Sequence, residues 1–234
     1  MAELKRVRIW SGPVRAAHWA MAGATLTALA TGALMAWGRD TAPPLWIAAR
    51  EVHVPAGQVL LAALALRLVL LVAGSGSAGW RDLLPRSGQW VAAWATMRFY
   101  LSGTRSRLPP CYAHNPLWGP VYLVLFGLLA AEIGLGLWLE QPGLRGLVDL
   151  DYSGALDWHR SLAQGVLWIS LAHLLAVVLH DWRAGRWEVS AMINGDKVFE
   201  IERPEQGLTF GGAGIRSVRP DVVRHWRPTD GRRD

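Results

Sequence analysis

Cysteine is almost absent from this chain of 234 residues, with Cys111 standing alone. One cysteine excludes a disulfide framework, a cysteine-ligated iron–sulfur cluster and the two-cysteine attachment of a c-type haem. Charge is also sparse: 18% of residues are charged, 52% are hydrophobic and fourteen are tryptophan. That balance describes a small membrane protein rather than a water-soluble domain. The net charge of +6 and the pI near 10.2 could suggest nucleic acid. Long uncharged apolar stretches interrupt these charges, however, as in no nucleic-acid module, so nucleic acid is not an expected partner.

The apolar runs fall at about 18–38, 53–73, 117–139 and 158–180, each near the ~20 residues that cross a bilayer as a helix. They are continuous and rich in Leu and Ala, without the alternation that barrel strands need. The expected fold is an all-α integral membrane bundle of four transmembrane helices, residues 1–189, followed by a polar, basic C-terminal tail, 190–234. The first run is too long for a secretory signal and ends at Trp37-Gly38-Arg39 without a clear cleavage site, so it reads as a retained span.

Lys and Arg number four before the first span, two between the first two, five from Arg81 to Arg107, one from Glu140 to Asp157 and ten after His180. The positive-inside rule places both termini and the Arg81–Arg107 loop in the cytoplasm, with Arg39–Arg50 and the acidic Glu140–Asp157 loop outside. Within the cytoplasmic loop, Trp90, Trp94, Phe99 and Tyr100 among arginines fit a helix lying in the membrane interface, or else a solvated loop.

Four of the seven histidines, His18, His53, His159 and His173, lie at span ends or inside a span, where ionisable groups are expensive and usually functional. His159 and His173 are fourteen residues apart, about four turns, so they share a helix face at two levels separated by ~21 Å. Topology then supplies partners: His53 with His159 near the outer face, and His18 with His173 near the cytoplasmic face. Paired imidazoles at two depths suit two b-type haems, each iron taking one imidazole from either side. A zinc or copper ion is the competing reading, disfavoured because these levels lack carboxylate or thiolate neighbours in the sequence to complete a tetrahedral site.

Ala56 and Gly57 after His53, and Ala163 and Gly165 after His159, leave room for a flat macrocycle or serve ordinary helix packing. Arg15, Arg67 and Arg160 are candidates to pair haem propionates, with Arg67 the deepest. Glu132, inside the third span, must be protonated, paired or wetted; proton movement, the outer haem's surroundings or a hydrogen bond to a neighbouring helix are its readings. His180 is expected to be solvated at the cytoplasmic boundary, and His225 has no assigned role. Gly127, Gly134 and Gly136 offer a face for a homo-oligomer.

Five motifs, in order, carry a resemblance: Gly12-Pro13-Val14-Arg15 leading to His18-Trp19; Val52-His53 with Ala56-Gly57 and Arg67; His114-Asn115-Pro116; Asp157-Trp158-His159-Arg160 with His173; and Ser190-Ala191-Met192-Ile193-Asn194-Gly195. They resemble the di-haem cytochrome b subunit of membrane-bound [NiFe] hydrogenases, within the wider bacterial cytochrome b561-like and formate dehydrogenase γ-like group. The resemblance implies a multi-pass protein of the bacterial inner membrane with His18, His53, His159 and His173 as the four axial ligands. It also implies electron conduction from a periplasmic hydrogenase or similar dehydrogenase subunit with iron–sulfur clusters, through two haem b groups, to quinone. Related cytochromes bind quinone beside an Asn before the third helix, which makes His114 and Asn115 quinone candidates; a helix cap is the alternative. Another dehydrogenase, a cytochrome c or a non-quinone acceptor would be served by the same architecture, and an anchor without electron transfer is the rival from another class.

Overall fold

The computed structural model describes residues 3–103, 111, 113–146, 148, 150–184, 188–201 and 223–224. The elements are β1 (Glu3–Arg8), α1 (Gly12–Thr41), α2 (Pro43–Ala73), α3 (Trp90–Leu101), α4 (Trp118–Glu140), α5 (Tyr152–Ala184), α6 (Glu188–Asn194), β2 (Asp196–Ile201) and β3 (Val223–Arg224), with short 3-10 turns between α2 and α3 and between α4 and α5. α1, α2, α4 and α5 are each long and apolar enough to cross a membrane. The all-α, four-span expectation holds. The helices are exposed where a soluble protein would be polar: Val59, Val69, Val72, Trp168, Leu175 and Val178 all face outward, as helices surrounded by acyl chains do.

The helices outrun the sequence-based spans, and at the outer end the difference matters. Arg39–Arg50 was expected as a loop, but helix occupies all of it except Ala42, which alone separates α1 from α2. Pro43 opens α2 from a position where its missing N–H is no loss. His53 is therefore well inside α2 rather than at its opening.

The chain divides into two compact units. One holds residues 16–70 and 123–172, the other 1–15, 71–122 and 173–234. In the first, Met21 and Ala24 of α1, Leu60, Ala63 and Leu64 of α2, Leu129 and Ile133 of α4 and Val166 of α5 form the buried core. Burying that apolar surface adds little in a bilayer, so close packing through small residues such as Ala24 and Ala63 carries the association. At the end of this unit near Ala42, Arg50 donates to both carboxylate oxygens of Glu140, at 2.6 and 2.7 Å. Arg145 donates to the Leu139 carbonyl at the C-terminal end of α4, where a cation is favoured.

In the second unit β1 pairs antiparallel with β2, from Glu3 opposite Ile201 to Arg8 opposite Asp196, and β3 pairs with β2. Gly195, at φ +93°, ends α6 and accepts from the backbone N–H groups of Ile9 and Trp10 at 2.8 and 3.0 Å. Arg15 adds a hydrogen bond to the Ile193 carbonyl. The expected interfacial helix is α3: Ala93, Thr96 and Phe99 are buried along one stripe, while Trp90, Val91, Trp94 and Leu101 are exposed, an apolar outer face suited to a membrane surface.

Candidate functional site

In the unit built from residues 16–70 and 123–172, the imidazoles of His53 on α2 and His159 on α5 face each other. Their ring centres are 6.1 Å apart and their planes are inclined by 79°. His53 Nδ1 lies 3.0 Å from the Ala28 carbonyl and 3.0 Å from Thr31 Oγ1. A carbonyl only accepts, so Nδ1 carries the proton and Nε2 keeps its lone pair. Thr31 is fixed in turn by donating to the Thr27 carbonyl at 2.7 Å.

His159 Nδ1 lies 3.3 Å from Glu132 Oε1 on α4, without the alignment of a hydrogen bond. This corrects the expectation that the outer level lacks a carboxylate. Even so, no group of three or more His, Cys, Asp or Glu side chains among the described residues is arranged to hold a metal ion. Two imidazoles are fewer than the four ligands that a tetrahedral metal site needs.

Two glycines lie against these rings. A Cβ on Gly32 would sit 3.5 Å from His53 Cε1, and one on Gly136 would sit 3.4 Å from His159 Cε1. Side chains there would press on the two rings. Gly136 packs against a histidine of its own chain; around Gly127 and Gly134 a Cβ would meet open space. Gly165 packs against Leu128, an ordinary helix contact.

Arg67 of α2 is 4% exposed and lies over the Phe126 ring, 5.5 Å from its centre. Arg160 is half-exposed and sits 3.8 Å from Asp157 one turn away. Arg15 is engaged at the end of α6. His18, in this unit, stands edge-on to Trp19 at 5.1 Å.

His173 belongs to the other unit. Its Nδ1 is 3.3 Å from Tyr122 Oη, and Trp118 lies edge-on to it at 6.0 Å. His180 is not solvated: it is 7% exposed, its Nε2 is 2.8 Å from Tyr100 Oη, and the two rings are nearly parallel. The Trp118 indole N–H also donates to Tyr100 Oη, at 2.8 Å. Burial pushes the Tyr100 phenol up from its ordinary pKa, and the Trp118 N–H opposes it.

His114 Nδ1 is 2.7 Å from Asp82 Oδ2 and its ring is edge-on to Trp10. Asn115 is buried; its Oδ1 accepts from the Leu117 N–H at 2.9 Å and its Nδ2 donates to Thr96 Oγ1 at 3.1 Å. Its carbonyl accepts from the N–H groups of Trp118 and Gly119, both at 3.0 Å, so Asn115 caps α4. Gly119 passes so close to the Leu83 carbonyl that a Cβ would collide with it. His225 lies outside the described residues.

Four membrane-crossing helices with two imidazoles facing each other across an apolar interior define the class of a membrane-embedded electron carrier. The chain belongs to the prokaryotic cytochrome b561 family, whose sequence model matches residues 9–195. It is therefore a transmembrane b-type cytochrome for electron transfer and a multi-pass protein of the bacterial inner membrane. No curated protein and no solved structure matches.

The residues fit the haem b that this family binds. Metal–imidazole bonds of about 2.0–2.1 Å on either side of one ion put ring centres roughly 6 Å apart, and those of His53 and His159 are 6.1 Å apart.

Proposed function

We propose that the chain holds two haem b groups, one between His53 and His159 and one between His18 and His173, and conducts electrons between a periplasmic dehydrogenase, foremost a [NiFe] hydrogenase, and the quinone pool. The facing pair of His53 and His159 is the observation that carries this reading. The second pair rests on helix position: His173 lies four turns from His159 along α5, and His18 lies near the start of α1, toward the opposite end from Ala42.

Each haem, when bound, supplies a one-electron ferric/ferrous couple, and ligation by two imidazoles stabilises both states. The chain's own residues orient the ligands. Ala28 and Thr31 fix the His53 ring, Glu132 stands behind His159, and Tyr122 stands behind His173. Arg67, the deepest of the three candidate arginines and buried on α2, is the residue proposed to meet a propionate. The apolar faces around it keep water out. The basic segments, from the N-terminus through Arg81–Arg107 to the region after His180, are proposed to face the cytoplasm, so that protons for quinone would enter from that side.

A reduced-minus-oxidised spectrum with pyridine haemochrome quantification on the purified full chain tests this. Two haem b per chain are expected, with His53→Ala and His173→Ala each removing a different one. A chain without haem, or haem loss unrelated to these positions, would leave a membrane anchor. Haem in place but no turnover with quinone and hydrogenase would assign the wire to another partner.

A further inference from the structure

The two histidines of the outer level do not have equivalent surroundings. Behind His53, Nδ1 meets a neutral acceptor, the Ala28 carbonyl, with the Thr31 hydroxyl beside it. Behind His159, Nδ1 meets Glu132 Oε1 at 3.3 Å, and neither Nδ1 nor Glu132 Oε2 has a hydrogen-bond partner among the described residues. Glu132 is on α4, and its side chain is 14% exposed. A carboxyl group inside a membrane helix is expensive, and among the described residues the ring of His159 is the neighbour found for this one.

We propose that Glu132 is a positioning residue that acts through His159: its carboxyl accepts a hydrogen bond from the Nδ1–H, fixes the ring so that Nε2 faces His53, and strengthens the imidazole as a donor, lowering the reduction potential of the outer haem. The proposal rests on the reading of His53 and His159 as an axial pair. A carboxyl acceptor behind a metal-bound imidazole pulls on the N–H, raises the electron density at the opposite nitrogen and favours the more highly charged ferric ion. The Ala28 carbonyl does this less. The outer haem would thus have one ordinary and one strengthened ligand, and Glu132 would set its potential without touching iron.

The test is an optical redox titration with haemochrome quantification and low-temperature EPR on the full chain in detergent, comparing wild type, Glu132→Gln, Glu132→Leu and His159→Ala. In Glu132→Leu the midpoint of one haem component should rise. A tenfold change in its ferric/ferrous ratio at a fixed poise is expected, equivalent to about 59 mV for one electron. Glu132→Gln, which keeps a carbonyl acceptor, should move the same component less, and its ferric EPR signal should shift while the other component stays put.

Full haem content with unchanged midpoints in both variants would overturn the proposal, and so would an equal shift of both components. If Glu132→Leu does not accumulate, Glu132→Gln decides by the same criteria. His159→Ala separates the two levels of argument: retention of both haems there would remove the axial pair itself, whereas loss of one haem leaves the Glu132 result to stand or fall alone.

Discussion

The imidazole planes of His53 and His159 are nearly perpendicular, inclined by 79°. Two axial imidazoles in parallel planes split the iron d orbitals strongly, because both π systems act on the same one. Perpendicular planes act on different orbitals, and the splitting shrinks. Under the proposed ligation, the outer haem should give a ferric low-spin EPR signal dominated by one large g value. A conventional rhombic signal from the component that disappears in His159→Ala would contradict this geometry.

Gly32 and Gly136 give a second check on the same level. Each faces the Cε1 edge of its histidine, and larger side chains there would push the ring away from the position proposed to bind iron. Gly32→Leu and Gly136→Leu are expected to retain helicity by circular dichroism while each loses the outer haem, halving the haemochrome content. Overpacking itself costs about 1–3 kcal/mol, too little to unfold most membrane bundles. Full haem content in both variants would show that the macrocycle lies elsewhere.

The start of α5 makes a pH-dependent prediction. Asp151 accepts from the Ser153 hydroxyl and, at 2.9 Å, from the Gly154 N–H, and these bonds hold its carboxyl below the usual carboxylate range. A carboxyl whose folded pKa is depressed adds stability above its unfolded value, and loses it as pH falls through the folded one. Asp151→Ala should therefore melt below wild type at neutral pH, with the gap closing as the pH drops below about 4, the ordinary Asp value. A gap that stays constant on acidification would mean that the cap works without the charge.

How much was legible beforehand divides along physical lines. The four spans were readable because a bilayer requires long apolar helices and nothing else in the chain supplies them. The histidines were readable because ionisable groups inside such helices are rare. Thr31 and Gly32 were missed because the turn was taken to be a loop over Arg39–Arg50. With the turn at Ala42, Thr31 and His53 are equidistant from it in sequence and must face each other across the hairpin. The sheet was missed because its strands are short and far apart: the alternation in Lys5-Arg6-Val7-Arg8 and in Lys197-Val198 is too brief to stand out, and pairing between distant segments leaves no local signal. Beside the sheet, Arg15 of the first motif holds Ile193 of the last. His180 looked solvated from its place at the end of α5, but the ring of Tyr100 covers it.

Asn115 is where a structural and a functional role can be separated. Its Oδ1 and backbone carbonyl hold the first turn of α4 and its Nδ2 holds Thr96, so the side chain has one donor hydrogen left for any quinone. Asn115→Asp keeps the cap oxygen but replaces both donor hydrogens with an acceptor, whereas Asn115→Ala loses the cap as well, at about 1 kcal/mol; both leave the buried Thr96 hydroxyl without its donor. If Asn115 only caps, thermal stability should fall in both variants, with quinone reduction following stability in both. If it also binds quinone, Asn115→Asp should raise the KM for quinone by more than its fall in melting temperature accounts for, because the remaining amide hydrogen is what a quinone carbonyl would accept. Measuring melting temperature and quinone KM on the same preparations distinguishes the two, and a KM unchanged in Asn115→Asp would remove Asn115 from the quinone site.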